Sequence, residues 1–84
     1  MANCTKLLLK ARNSPHNLRF DELCSLAECF GWVPCGGTGS HRVYMHSALG
    51  NNVGAMMNFQ SRKGCAKPYQ VKQLLEAIDG LNHG

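Results

Sequence analysis

The chain has 84 residues, of which 44% are hydrophobic and 17% charged, and nine lysine and arginine residues against five acids give it a formal net charge of +4. This length predicts one small domain and excludes a doubly wound nucleotide-binding sheet or a TIM barrel, while the apolar fraction argues against disorder. No apolar run approaches about 18 residues and no signal-peptide pattern opens the chain, so we expect neither a membrane span nor secretion.

The first two helices are predicted from the spacing of apolar residues. A short helix over 5–13 ends before Pro15, because the residue that precedes a proline avoids the α conformation. A stronger helix is predicted over 20–30, with acids in its first turn and Gly31 as its C-terminal stop. Its apolar face consists of Phe20, Leu23, Cys24, Ala27 and Phe30.

Three strands are predicted next along the chain. Residues 32–35 form the first strand, and the glycine-rich stretch 36–39 provides a turn. Residues 40–46 form the second strand, and 53–60 form the third strand after a turn at 49–52. Because hairpin turns connect these strands, we expect them to pair as an antiparallel sheet.

Alternation within the strands predicts which side chains meet the helices. His41 has the same parity as Val43 and Met45, and we expect this face of the second strand to be covered. Arg42 and Tyr44 are predicted to lie on the opposite face. In the third strand, the residues of one apolar parity are Ala55, Met57 and Phe59.

A polar, basic loop is predicted over 61–66, and a last helix is predicted to begin at Pro68, a residue suited to a first helical turn. The order of elements is therefore α-α-β-β-β-α in a single domain over 1–84. It predicts an α+β fold in which helices cover one face of a three-stranded antiparallel sheet. The apolar face of the last helix consists of Val71, Leu74, Leu75, Ile78 and Leu81.

The cysteine pattern predicts reduced thiols. There are five cysteines, an odd number, and no pair has the C-x-x-C spacing of a zinc ribbon or a thioredoxin motif. Cys24 lies on the apolar stripe of the second helix. We therefore favour free thiols in a cytoplasmic protein over a disulfide framework or a mixed Cys/His zinc site, and we predict no bound metal and no cofactor.

Charge is distributed unevenly along the sequence. Between Cys29 and Leu75 there is no acid, so two-carboxylate hydrolysis is excluded. The same block contains five cations, which suggests a surface that meets nucleic acid or an acidic protein, with an ordinary solvated basic face as an equal alternative on charge alone. The cations are Arg42, Arg62, Lys63, Lys67 and Lys72.

His41 is distinguished by its position directly after the glycine turn. At the rim of a covered sheet face, a histidine is partly buried, still reachable and able to exchange a proton near neutral pH. On the residues alone, however, a structural histidine that is hydrogen-bonded at the sheet edge is the favoured interpretation. The turn itself lacks the third glycine of G-x-G-x-x-G and the Lys-Ser/Thr of a P-loop, so it does not indicate a nucleotide site.

The stretch 39–44, which reads Gly-Ser-His-Arg-Val-Tyr, resembles the HicA toxins of bacterial type II toxin–antitoxin systems. The resemblance covers about residues 18–79, including the helix at 20–30, the three-strand meander and the last helix. It leaves 1–17 as an N-terminal extension. The family often has a proline–histidine motif just after the third strand, whereas residues 59–64 of this chain read Phe-Gln-Ser-Arg-Lys-Gly.

The resemblance implies a fold like the double-stranded-RNA-binding domain and the activity of an mRNA interferase, an endoribonuclease that needs no metal. It implies that mRNA is the substrate, that a HicB-like antitoxin is the protein partner and that His41 is the catalytic residue. The residues that we expect to contact RNA are Gly39, Ser40, Arg42, Arg62, Lys63 and Lys67.

Two other functions remain open at the level of the sequence. A non-catalytic RNA-binding module of the same fold would use His41 for packing or for phosphate contact alone. A protein-interaction domain would use the basic surface to bind an acidic partner.

Overall fold

The computed structural model describes residues 4–37, 39–46 and 55–83. Within these residues it shows an α+β fold with three α-helices, a short 3₁₀ turn at Pro15–Asn17 and four strands. The helices are α1 (Cys4–Asn13), α2 (Phe20–Cys29) and α3 (Pro68–His83), and the strands are β1 (Val33–Gly36), β2 (His41–Met45), β3 (Met56–Arg62) and β4 (Cys65–Ala66).

The strands form one antiparallel sheet in the order β1-β2-β3-β4. The prediction of an antiparallel meander is therefore confirmed for the described residues, and the strand count of three is corrected to four. The predicted turn at 49–52 and the first two residues of the predicted third strand lie outside the described residues.

The fourth strand arises where a loop was predicted over 61–66. β3 continues to Arg62, and the chain reverses through Lys63 and Gly64, whose φ angles are 53° and 82°. Two consecutive residues with positive φ make the tight turn whose twist matches a two-stranded hairpin. The usual sequence signal for such a turn is Asn-Gly or Asp-Gly, so the Lys-Gly pair did not indicate a hairpin.

The β3–β4 hairpin also contacts the start of α2. Ala66 donates its backbone N–H to the Leu18 carbonyl at 2.9 Å, and Phe20 donates its N–H to the Gly64 carbonyl at 3.0 Å. These bonds place the tip of the hairpin beside the first turn of α2.

Helices cover one face of the sheet, and the core lies between them. The predicted apolar faces of α2 and α3 are confirmed, since Leu23 and Ala27 in α2 and Val71, Leu74 and Ile78 in α3 are fully buried. Leu26 in α2 is also fully buried, although the predicted face did not include it. The largest side chains in this core are Trp32, Tyr44 and Phe59.

The orientation predicted for β2 is wrong. Tyr44 is fully buried, while Met45 is 44% exposed. Tyr44 therefore faces the helices, and the face of β2 that contains His41 and Met45 points away from them. The buried tyrosine has a partner for its polar end, because its hydroxyl donates to Glu28 Oε2 at 2.8 Å. Its ring packs against Phe59 with centroids 5.6 Å apart. Burial is the main cause that raises the pKa of Tyr44, and the hydrogen bond to Glu28 raises it further.

The prediction that all thiols are free is also wrong. Cys4 and Cys29 form a disulfide with Cα atoms 5.8 Å apart, whereas Cys24, Cys35 and Cys65 are free. An odd number of cysteines excludes complete pairing but not one pair, and this pair depends on how α1 packs against α2. Because disulfides persist mainly in oxidising compartments, the cysteines do not support the predicted cytoplasmic location.

The N-terminal segment is tied to the rest of the fold by charges as well. The Lys10 ammonium lies 2.8 Å from Glu22 Oε1, and the Arg12 guanidinium lies 2.6 Å from Asp79 Oδ1. Together with the disulfide, these contacts link α1 to both other helices. None of the helices in the described ranges is long and apolar enough to cross a membrane.

Candidate nucleic-acid interface

His41 is the first residue of β2 and lies on the face of the sheet that the helices leave open. Its neighbour across the sheet in β3 is Gln60, and its side chain is exposed. This corrects the prediction of a partly buried rim position, since the strand has the opposite orientation. Ser40 Oγ lies 3.4 Å from His41 Nδ1, a long contact that leaves the ring accessible.

The glycine turn forms a depression beside this histidine. The depression has a volume of about 210 Å³ and is lined by three glycines together with His41 and Arg42. Gly37 has a φ of 111°, and a Cβ atom there would collide with the backbone carbonyl of His41. Glycine at this position therefore lets the turn approach β2 closely.

The start of β2 and the end of β3 meet at one end of the sheet. The Ser61 N–H donates to the Ser40 carbonyl at 2.7 Å, which extends the register by one residue beyond the His41–Gln60 pair. Ser40 and His41 therefore lie at the same end of the sheet as Arg62 and Lys63, and both of these cations are exposed.

Arg42 and Lys67 occupy different positions from these two cations. Arg42 lies opposite Phe59, on the helix side of the sheet. Burial raises the pKa of the Cys24 thiol in α2, and the positive charge of Arg42 partly offsets that rise. Lys67 instead donates a hydrogen bond from Nζ to Gln60 Oε1. Because Gln60 is paired with His41, this bond brings the Lys67 ammonium close to the open face.

Sequence reasoning missed Gln60 and Gln70. Gln70 is 4% exposed, accepts the Gln60 backbone N–H at 2.9 Å and donates to the Asn58 carbonyl at 2.8 Å. Its amide therefore pairs with β3 as a neighbouring strand would. The register of β2 against β3 would have identified Gln60, but a polar residue near a strand end gives no signal by itself.

The acids of the chain are confined to one layer of the fold. All five acids of the chain are in α2 or α3, and three of them have basic or hydroxyl partners in Lys10, Arg12 and Tyr44. The strands contain no acid. The open end of the sheet is thus suited to an anion such as a phosphate.

The other end of the open face is apolar. Val33, Met45 and Met56 are paired across three adjacent strands and are 61%, 44% and 63% exposed, respectively. The open face therefore combines a polar, basic end with an apolar end.

Within the described ranges, no group of three or more His, Cys, Asp or Glu side chains could hold a metal ion. No family model, curated protein or solved structure matches the chain.

Proposed function

We propose that this protein is an RNA-cleaving toxin similar to the HicA mRNA interferases, with a fold of the double-stranded-RNA-binding type, and that it acts in the cytoplasm, where the Cys4–Cys29 disulfide would be reduced. The observation that carries the proposal is the position of His41. It is exposed beside a glycine turn, at the same end of the sheet as Arg62 and Lys63. A proton-transferring group and phosphate-binding cations on one accessible surface are what metal-independent RNA cleavage requires.

The chemistry uses the RNA's own 2′-hydroxyl. The neutral imidazole of His41 accepts the proton of the 2′-OH, and the 2′-oxygen forms a bond to the adjacent phosphorus. The bond from phosphorus to the 5′-oxygen breaks, and the leaving oxygen takes a proton from imidazolium or from water. The products are a 2′,3′-cyclic phosphate and a 5′-hydroxyl.

The cations have a separate task in this reaction. Negative charge increases on the phosphorane oxygens in the transition state, and the side chains of Arg62 and Lys63 stabilise it if they contact the phosphate. Arg42 lines the depression from the helix side, which supports a contact between its guanidinium and a neighbouring phosphate. Gly39 and Ser40 supply backbone and hydroxyl groups beside His41.

The partner in this proposal is a HicB-like antitoxin. It neutralises the toxin by covering His41 and the adjacent cations with an acidic surface. The absence of acids from the sheet strands supports such a contact, because no like charge on the strands opposes it.

Induced expression in bacteria tests the proposal. We expect the wild type to arrest growth and degrade mRNA, and we expect His41→Ala to do neither while accumulating to the same level. His16→Ala is the matched control, since His16 is exposed in the 3₁₀ turn and should leave toxicity unchanged. Toxicity that survives in His41→Ala would remove His41 from the mechanism.

A non-catalytic RNA-binding module is the second candidate. The observation that favours it is the long 3.4 Å contact between Ser40 Oγ and His41 Nδ1, which holds the imidazole weakly. Under this alternative the purified wild type binds RNA but leaves it intact.

A further inference from the structure

We propose that Gln60 is a phosphate-contacting residue of the same site and that Lys67 and Gln70 hold it in place. This inference rests on the proposed function, because it assigns a new contact to the RNA that the site would bind. It starts from the register of the sheet, in which Gln60 is the direct partner of His41.

The register places the two side chains side by side. Residues directly opposite each other in an antiparallel pair have Cβ atoms roughly 4.5–5.5 Å apart and point to the same face. Gln60 is partly exposed and His41 is exposed. A phosphate that approaches His41 on the open face therefore comes within reach of the Gln60 amide.

Lys67 determines which end of that amide is available. An ammonium group can only donate hydrogen bonds, so its bond to Gln60 orients the amide with Oε1 toward Lys67. The NH₂ group is then the end that remains for a ligand. It offers two donors, and phosphate oxygens are acceptors, so the amide has the polarity that a phosphate requires.

Gln70 fixes the backbone from which Gln60 extends. Its buried amide forms hydrogen bonds with the Gln60 N–H and the Asn58 carbonyl. These two groups of β3 lie past the end of the short strand β4, which pairs only with Ser61 and Arg62. Both the backbone and the side chain of Gln60 are thus held before any ligand binds. A donor that is already oriented loses little conformational freedom on binding.

A purely structural role is the competing explanation, in which Gln60 serves only as an acceptor for Lys67. Gln60→Glu separates the two roles. The carboxylate keeps the side-chain length and is a better acceptor for the Lys67 ammonium, but it has no donor and it adds negative charge beside His41. A structural role predicts unchanged or higher stability and no loss of RNA binding beyond the repulsion from the added charge, whereas a phosphate contact predicts a larger loss of binding.

The experiment measures affinity for a 2′-O-methyl RNA oligonucleotide, which can bind but lacks the attacking hydroxyl, and the rate of cleavage of the matching RNA. We expect Gln60→Glu to unfold at or above the wild-type temperature and to bind at least about tenfold more weakly, as for the loss of a hydrogen bond to a charged group. The matched control is Asn58→Asp, which adds the same charge two residues away on the same face. It should weaken binding by less than about threefold, because exposed charges interact weakly.

A second variant removes the effect of the added charge. Gln60→Met retains the approximate length but has no donor, and we expect it to weaken binding in the same direction as Gln60→Glu.

The outcomes separate this inference from the proposed function. If the wild type binds the oligonucleotide and both Gln60 variants match it, the Gln60 contact is wrong and the proposed function stands. If Asn58→Asp weakens binding as much as Gln60→Glu and Gln60→Met has no effect, general repulsion explains the loss and the contact is also wrong. If the wild type neither binds nor cleaves RNA, the proposed function fails, and this inference fails with it.

Discussion

The two faces of the sheet differ completely although they alternate along the same strands. On the covered face, Tyr44, Met57 and Phe59 are almost fully buried, whereas Met45 and Met56 on the open face are largely exposed. Neighbouring residues of one strand therefore serve different purposes. The covered face stabilises the fold, and the open face is free to bind a ligand.

The two strand-end histidines illustrate the same division. His46 packs edge-on against Trp32 with ring centroids 4.6 Å apart, and its Nε2 lies 2.8 Å from the Phe30 carbonyl oxygen. It is a structural histidine that joins the end of β2 to the end of α2. His41, at the other end of the same strand, is exposed on the open face.

The first prediction tests the division of the faces with two adjacent methionines. Met57 is 6% exposed and Met56 is 63% exposed, so the same substitution is compared on the two faces. Met57→Ala should lower the free energy of unfolding by about 2–5 kcal/mol, because it leaves a cavity in the core. Met56→Ala should change it by less than about 0.5 kcal/mol. Equal effects in denaturant titrations would mean that the helices do not cover one face alone.

The second prediction concerns the disulfide that supports the covered side. Replacing Cys4 and Cys29 together with serine should lower the free energy of unfolding by roughly 2–4 kcal/mol, since the cross-link restricts the unfolded chain. Cys35→Ser, at an exposed free thiol, should have little effect.

Thiol titration of the unreduced, unfolded protein checks the same bond. We expect three reactive thiols, from the free cysteines. Five reactive thiols would show that the disulfide is absent.

The third prediction sharpens the contrast in charge. Arg62→Ala and Lys63→Ala together should weaken RNA binding and reduce the slope of log K against log salt by about 1.4, at about 0.7 per phosphate contact on a single strand. Lys72→Ala, at an exposed position of α3, should leave the slope unchanged. An unchanged slope in the double variant would remove the hairpin from the interface.

The fourth prediction has the smallest effect and lies on the helix side. The hydrogen bond from Lys10 lowers the pKa of Glu22, and the bond from the Arg19 backbone N–H acts in the same direction. Because the pKa is lower in the folded state, this contribution to stability is present above the pKa of the unfolded chain and is lost as the pH falls through the folded value. The stability advantage of wild type over Glu22→Gln should therefore be present at neutral pH and shrink below about pH 4. Thermal unfolding across this range measures it, and a constant difference would contradict the assignment.

The sequence predicted the parts of the fold that depend on local pattern. The apolar spacing in α2 and α3 matched the buried residues, because one helical stripe has one direction in which to pack. The orientation of β2 was not predictable in this way, since each face of the strand has a large side chain, Tyr44 on one and Met45 on the other. The buried hydroxyl of Tyr44 is satisfied by a hydrogen bond that it donates to Glu28, and that partner comes from another element.

The sequence also predicted only those parts of the candidate site that depend on a local motif or on charge. The resemblance of residues 39–44 indicated His41, and charge indicated Arg62 and Lys63, which the sheet brings to the same end. The separation of Arg42 from them followed from the orientation of β2. Gln60 and the disulfide depend on strand register and on helix packing, which sequence spacing does not specify.

Cleavage of one RNA by purified wild-type and His41→Ala proteins tests the central claim most directly. Circular dichroism should show the same fold for both, and a DNA of the same sequence should stay intact because it lacks the 2′-hydroxyl. We predict that the wild type cuts the RNA to 2′,3′-cyclic phosphate ends and that His41→Ala cuts it at least about 10²-fold more slowly. Cleavage by folded His41→Ala at the wild-type rate would contradict the proposed mechanism, and RNA that the wild type binds but never cuts would contradict the proposed activity.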